Sequence, residues 1–394
     1  MTHPGRSRLK VLLVTTSFPV GPNKASGIFV KRLADTLSRQ VSLTVLTPGT
    51  FEQVNLAVDY QVNCFRYAPI KWQRLAHEPG GILVALRSKP WLMLLLPAFL
   101  VALFTGVLHH GKQADVIHAN WSITGLISGI AALFIGKPVI TTLRGSDVNS
   151  ISHSVISRTV TALTLRLNRM VVAVSDAIAS ELCQLWPTQA DKVYVVPNGV
   201  DEGLLTLSKT TKHHDLIIMT IGNLIPLKDV ATLIHAFPSI QEIAQLRVVG
   251  EGVERSSLEL LTKQLGLSER IDFVGAIPPD EVKTELSMAD IFVLSSHSEG
   301  RPNVILEAMA AGCAIISSDL PGVRELLEED VSGLFYRPGD TEALAGLLVR
   351  LTASRKLRSQ LGEHARSRIV EMGLTWLACG ARYVDLYGKI QGGR

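Results

Sequence analysis

The run Ser295–Glu307, SSHSEGRPNVILE, combines residue types and spacing that can seat a phosphorylated ligand. Pro302 suits the first position of a helix, where a missing N–H costs nothing, and Gly312 supplies a stop at the far end. The amides of Asn303, Val304 and Ile305 would then be first-turn donors at a positive dipole end, a ready seat for phosphate. Glu307 falls among Val304, Ile305, Leu306, Ala308, Met309, Ala310 and Ala311. A carboxylate in such surroundings needs donors, and sugar hydroxyls supply them. Glu299 precedes the helix beside Gly300, placed to aim across the same site. The plainer account makes Glu299 a dipole-capping acid and leaves Glu307 facing solvent; the whole string following an apolar strand favours the ligand seat.

The elements that must position these residues alternate along the chain. Short β-branched runs at Lys10–Thr15, Val41–Thr47, Asp115–His118, Pro138–Leu143 and Met170–Val174 read as buried strands. A second series covers Val193–Val196, Leu216–Ile221, Leu246–Gly250, Ile271–Val274, Ile291–Leu294 and Ala314–Ser317. Between them, Phe29–Arg39, Val155–Asn168, Val230–Phe237 and Ser256–Leu265 carry apolar residues at helical spacing. Such alternation predicts an α/β protein with parallel sheets covered on both faces. There are too many strands for one ordinary sheet, so two doubly wound domains are expected, joined within Pro197–Lys212. Ligands of such a pair bind at the carboxyl ends of strands, in the interdomain cleft.

Composition narrows the class. With 394 residues, 47% hydrophobic and 19% charged, the chain is long enough for two or three packed domains and too apolar for disorder. Cys64, Cys183, Cys313 and Cys379 are widely separated, without the spacing of a disulfide framework or zinc site. His109-His110 and His213-His214 have no companion ligands, so no metal is expected. The net charge of +4 conceals a basic first half and an acidic second half. The scattered Lys and Arg lack a nucleic-acid signature; an anionic membrane surface fits them better. Val11–Val14 is too short for a signal-peptide core, and a cytosolic start is expected. Pro90–Leu108 is nineteen residues without a charge. It admits three readings: a core helix, a helix lying in the membrane interface behind Lys71, Trp72, Arg74, Arg87, Lys89 and Trp91, or a span.

Taken together, Glu299-Gly-Arg-Pro-Asn…Glu307-Ala-Met-Ala-Ala-Gly resembles the E-x7-E motif of retaining glycosyltransferases of family 4, the teichuronic-acid type among them. Ile221-Gly-Asn-Leu-Ile-Pro-Leu-Lys228 resembles their diphosphate-clamping loop; Val249-Gly-Glu-Gly, Phe273-Val-Gly, Pro321-Gly-Val-Arg-Glu and Val196-Pro-Asn-Gly-Val-Asp201 also fit. The resemblance implies two Rossmann-like domains facing across a cleft (GT-B). Residues 1–200 would bind the acceptor, 201–375 the nucleotide sugar, and 376–394 would cross back onto the first domain. It implies that Glu307 accepts from ribose hydroxyls, Glu299 contacts the donor sugar and Lys228 neutralises the leaving diphosphate. Gly27, Gly222, Asn223, Gly250, Phe273, Gly275, Gly300, Arg301, Pro302, Asn303, Val304 and Ile305 would complete the donor site. It further implies that no metal or other cofactor is needed, consistent with the lack of an Asp-x-Asp pair. The donor is expected to be a UDP sugar, with GDP next, and the acceptor a lipid-linked or cell-surface glycan.

Departures from the family pattern concern the first domain above all. Asn223 stands where an arginine is common. Asp115-Val-Ile-His118-Ala-Asn120-Trp121 has Asn120 at the second histidine, and asparagine orients a hydroxyl without shuttling a proton. Arg144-Gly-Ser-Asp147 stands where H-G-x-D is common. His118, Asn120 and Asp147 are catalytic candidates, with Arg144, Asp147 and Trp121 as acceptor ligands. His118 reads equally as a satisfied core histidine, and Arg144 as a partner of Asp147 holding its loop. A nucleotide-sugar 2-epimerase and a non-catalytic scaffold subunit are the competing functions. The E-x7-E string disfavours the first; Asn120 and Asn223 favour the second, and intact Glu299, Glu307 and Lys228 disfavour it.

Overall fold

The computed structural model describes residues 8–20, 27–49, 58–73, 75, 76, 82, 86, 89–148, 151, 154–207, 216–240 and 244–392. The chain divides into two compact units, Met1–Pro197 with Trp376–Arg394, and Asn198–Thr375. The first contains β1 (Lys10–Val14), α1 (Ile28–Leu37), β2 (Ser42–Pro48), β3 (Gln61–Phe65), α2 (Leu96–Gly111) and β4 (Val116–Asn120). It continues with α3 (Ser122–Ile135), β5 (Val139–Leu143), α4 (Val155–Leu167), β6 (Met170–Ala173), α5 (Asp176–Leu185) and β7 (Val193–Val195). Its strands lie in the order β3-β2-β1-β4-β5-β6-β7 and pair in parallel. The order reverses at β1 and β4, opening a crevice at their carboxyl ends.

The second unit contains β8 (Leu216–Ile221), α6 (Val230–Ala236), β9 (Ala244–Val249), α7 (Arg255–Gln264), β10 (Ile271–Gly275) and α8 (Val282–Met288). After these come β11 (Ile291–Leu294), α9 (Asn303–Ala310), β12 (Ala314–Ser318), β13 (Leu334–Tyr336), α10 (Thr341–Ala353) and α11 (Arg355–Glu371). The parallel order is β10-β9-β8-β11-β12-β13, reversing at β8 and β11. Helix α12 (Trp376–Gly392) returns to the first unit, where Trp376, Tyr383, Leu386, Tyr387 and Ile390 share a core with Val30, Leu33 and Leu37 of α1.

The central strands are apolar on both faces because helices cover both, so Val, Ile and Leu run without alternation. Two short strands, β3 and β13, carried no such run and were not anticipated. Val193–Val196, placed in the second series from sequence, instead extends the first sheet as edge strand β7 beside β6. Membership of a sheet depends on neighbours in space, which a three-residue strand does not encode. None of the four cysteines is in a disulfide. Ser26, Arg74, Arg87, His213 and His214 lie outside the described residues.

Pro90–Gly111 is one helical stretch of 22 residues, long and apolar enough to cross a membrane by length and composition. It packs on the first sheet by a single stripe of Leu92, Phe99, Leu103 and Val107, which belong to that unit's core. A span would withdraw that stripe from the sheet.

Candidate functional site

At the switch point of the second sheet, the chain leaves β8 through Gly222 and Asn223, and β11 through Ser295 and Ser296. A small pocket there is lined by Thr220, Gly222, Asn223, Lys228, Ser295 and Ser296, among others. Beside it the turns are pinned by backbone: the Gly222 amide donates to the Val249 carbonyl at 3.0 Å and the Gly250 amide to the Gly275 carbonyl at 2.8 Å. Gly250 has φ +140, and a Cβ there would overlap the Gly222 carbonyl oxygen. Only glycine lets these two turns approach so closely.

Lys228 ends the short 3₁₀ turn Pro226–Lys228, and Asp229 follows at φ 43. That left-handed conformation is costly for a residue with a Cβ. It is held because the Asp229 carboxylate caps α6, accepting from the amide of Thr232 at 3.3 Å and its hydroxyl at 2.7 Å. The Nε2 of His297 stands 3.2 Å from the same carboxylate. The turn delivers the Lys228 ammonium directly to the Glu299 carboxylate, which also accepts from the Ser296 hydroxyl at 2.7 Å. Serines 295 and 296 and Asp229 were not singled out from sequence, although Asp229 three residues before Thr232 is a capping spacing.

Helix α9 begins one residue later than expected. Pro302 is its cap, with ψ 111, and Asn303 is its first residue. The Ile305 amide donates to the Pro302 carbonyl at 3.1 Å, so the first-turn donors are Asn303 and Val304 rather than the expected three. The Asn303 side-chain oxygen accepts from Asn198 at 2.9 Å, tying the Val196–Asp201 segment to this terminus. Glu307 sits half-buried a turn into the helix. Arg301, expected among the donor ligands, has a side chain that is 3% exposed and pairs with Glu325 at 3.1 Å. Gly300 lies against Gly322, whose Cβ position would overlap the Gly300 carbonyl. The Phe273 side chain packs against the core, and its carbonyl accepts from Arg255 at 3.2 Å.

The first unit has its own cluster at the carboxyl ends of β1, β4 and β5. Gly27 (φ +73) caps α1 so closely against Ser17 that a Cβ would overlap the Ser17 carbonyl. Trp121, at φ 71, turns the chain from β4 into α3 and meets Phe29 edge-on at 6.0 Å. Arg144 stacks over Phe29 at 4.3 Å and donates to the Asn120 side-chain oxygen at 3.0 Å. Asn120 is fully buried; its oxygen is taken by Arg144, and its amide nitrogen has no partner among the described residues. A buried, unsatisfied donor is expensive, so it marks a point where a ligand acceptor atom would be welcome.

Two of the catalytic candidates are buried and bonded within this cluster. His118 is buried on β4, with Nδ1 2.7 Å from the Tyr387 hydroxyl and Nε2 2.8 Å from the Thr142 hydroxyl. Thr142 in turn meets the Tyr383 hydroxyl at 2.8 Å. His118, a catalytic candidate, thus joins α12 to the sheet through both of its ring nitrogens. Asp147 is also buried. Its carboxylate accepts from the amide and hydroxyl of Ser122 at 3.0 and 2.8 Å and from the Arg144 amide at 3.0 Å. Those bonds set the Arg144 turn and the start of α3. Arg144, 7% exposed, is a wall of the cluster more than a surface ligand. Phe29 and Thr142 carry no signal in the sequence that marks them, whereas Tyr383 and Tyr387 belong to the segment expected to cross back onto the first domain.

Burial sets the protonation of these groups. It drives the His118 imidazole down to about 3, with repulsion from Arg144 adding to it, and raises the Asp147 carboxyl despite its three donors. A neutral His118 in the fold and a protonated one in the unfolded chain means the unfolded state binds more protons below about 6.5. His118 thus supports stability above about pH 6.5, and its contribution falls by about 1.4 kcal/mol per pH unit as pH drops toward 3. Asp147 acts in the opposite direction, so the difference between wild type and His118→Asn is the readout. In urea unfolding from pH 8 to 4, the variant is expected to be weaker at pH 8 and to converge on wild type in acid. Parallel curves would mean that His118 titrates alike in the folded and unfolded chain.

Two parallel sheets of this order, one carrying a glycine-built cradle with a lysine–glutamate pair at its switch point, have the two-Rossmann-domain architecture of the GT-B fold. Residues 26–204 match the family described as Glycosyltransferase Family 4, and residues 207–368 the one described as Glycosyl transferases group 1. Each family model covers one part of the chain, and together they mark a glycosyltransferase of the family 4 type. An uncharacterized glycosyltransferase of Methanocaldococcus jannaschii is 26% identical over 96% of this chain and 98% of its own length. A putative teichuronic acid biosynthesis glycosyltransferase of Bacillus subtilis, TuaC, is 24% identical over 87% and 89%. Among solved structures, HepE of Anabaena in complex with UDP superposes with a TM-score of 0.78 at 19% identity, over 97% of this chain and all of that one.

Proposed function

We propose that this glycosyltransferase moves a sugar from a nucleotide diphosphate to a glycan hydroxyl with retention at the anomeric carbon. UDP is the favoured nucleotide, and the acceptor is a lipid-linked or cell-surface polysaccharide intermediate met at the cytoplasmic membrane face. The observation that carries the reading is the meeting of Lys228 and Glu299 beside the Gly222–Gly250 backbone and the start of α9. An ammonium near the first-turn amides of Asn303 and Val304 is matched to a diphosphate. On donor binding Lys228 exchanges Glu299 for the phosphates, freeing Glu299 to accept from sugar hydroxyls, while Glu307 takes the ribose. The acceptor attacks on the face the nucleotide leaves, and the departing phosphate oxygen receives the acceptor proton, so no protein nucleophile is required. With Lys228 and the amides meeting the phosphate charge, the reaction runs without a metal or other cofactor. The UDP-bound relative and the teichuronic-acid relative support the donor and acceptor classes.

Thermal unfolding with UDP, GDP, ADP and TDP tests the donor class. A nucleotide at about 100 times its dissociation constant adds about 2.7 kcal/mol. UDP is expected to raise the midpoint of wild type and to leave Glu307→Ala unmoved. Stabilisation by another nucleotide would replace UDP in the reading, and a response to none would favour a scaffold.

A further inference from the structure

Helices α2, α3 and α4 lie side by side on one face of the first sheet and contain no Asp or Glu. A surface helix normally turns charged residues outward, yet α2 and α3 carry none at all apart from His109 and His110. Large apolar side chains stand outward on them: Leu94 just before α2 is 82% exposed, Leu133 and Phe134 on α3 are 70% and 73% exposed, and Ile156 on α4, beside the exposed Arg158 and Arg166, is 78% exposed. Phe104 and Phe134 pack edge-on across the α2–α3 seam at 5.9 Å, which makes the patch continuous. At the end where α2 starts, Trp72 and Trp91 meet edge-on at 6.1 Å, both about half exposed. At the opposite end, Lys112, Lys137 and Arg169 follow the three helices and precede β4, β5 and β6. From Gln61 to Met170 the sequence has eleven Lys and Arg against three acids, Glu78, Asp115 and the buried Asp147.

We infer that the outward face of α2, α3 and α4 is a docking surface for an anionic lipid bilayer. An apolar face this broad on a soluble protein marks an interaction site. The apolar side chains would enter the acyl boundary, the tryptophans would sit at headgroup level, and the lysine row would meet anionic headgroups. Charge decides the occupant: a second copy of this chain would bring the same cations onto the same face. The inference extends the membrane-side acceptor proposed above but does not depend on the transfer reaction, because its readout is binding alone.

The test is sedimentation of the full chain with sucrose-loaded vesicles of phosphatidylcholine with 30% phosphatidylglycerol, or of phosphatidylcholine alone. Wild type is expected to bind the anionic vesicles far more tightly. Leu133→Gln with Phe134→Ser, and separately Lys112→Glu with Lys137→Glu, are each expected to lower partitioning by at least tenfold, each cation contributing roughly fivefold. These residues are exposed or half-exposed, and the UDP-induced rise in midpoint serves as the folding control. A wild type that ignores anionic vesicles, or variants that bind as well as wild type, would overturn the assignment. So would light scattering that shows a stable dimer lost in the Leu133/Phe134 variant.

Discussion

Lys228→Ala is expected to lower kcat by on the order of 10²–10³, the usual loss when one preorganised charge donor is removed from a developing anion. Its effect on KM for the donor should be smaller, because in the free enzyme the ammonium is already paired with Glu299. Binding then exchanges one anion for another, and the gain appears as charge builds on the leaving phosphate. Stability should hardly change: Lys228 is one-quarter exposed, and a partly exposed pair contributes on the order of 0–1 kcal/mol. Steady-state kinetics with the donor identified by thermal shift would check this. Retention of more than a tenth of kcat would remove Lys228 from the charge-stabilising role. Lys228→Arg should recover only part of the rate, because a planar fork cannot occupy the position of a compact ammonium on the same turn.

Gly250→Val should be the most damaging single change in the second unit. The backbone at φ +140 disfavours any side chain, and the added Cβ would occupy the space of the Gly222 carbonyl oxygen. The loop must move, at a cost on the order of 3 kcal/mol, or roughly 10 °C in midpoint for a unit of this size. The displaced Gly222–Asn223 turn forms part of the pocket wall, so nucleotide-induced stabilisation should disappear as well. Gly346→Ala is the matched control. It lies in α10 with no atom within 4 Å of the added methyl, and it should be neutral or slightly stabilising. A Gly250→Val protein that still responds to nucleotide would place the diphosphate elsewhere.

The two departures at Asn120 and Arg144 acquire a shared explanation. Arg144 stacks on Phe29 and holds the Asn120 oxygen, so the asparagine presents its nitrogen and not its oxygen. Arg144 thereby fixes the orientation of Asn120, whose side-chain nitrogen has no partner among the described residues.

Much of this protein was legible along the chain. Continuous Val/Ile/Leu runs determine buried parallel strands through local chemistry alone, and β8 and β11 fall where the sequence predicts them. The Pro302–Gly312 segment likewise carries its own start and stop, so a helix with Glu307 on it followed from composition, off by one residue at the cap. Long-range partners were a different matter. His118 and Tyr387 are 269 positions apart, and nothing near His118 reveals that both its nitrogens are occupied. Arg301 reads as a ligand beside Glu299 until Glu325 buries it. Hydrophobicity along Pro90–Leu108 could not separate a core helix from an exposed one, since both are apolar. Only the packing of Phe99, Leu103 and Val107 onto the sheet decided which stripe is inside, and left the neighbouring faces of α2 and α3 turned outward. Periodicity records which residues avoid water; whether the shelter comes from the chain itself or from another phase is set by tertiary contacts.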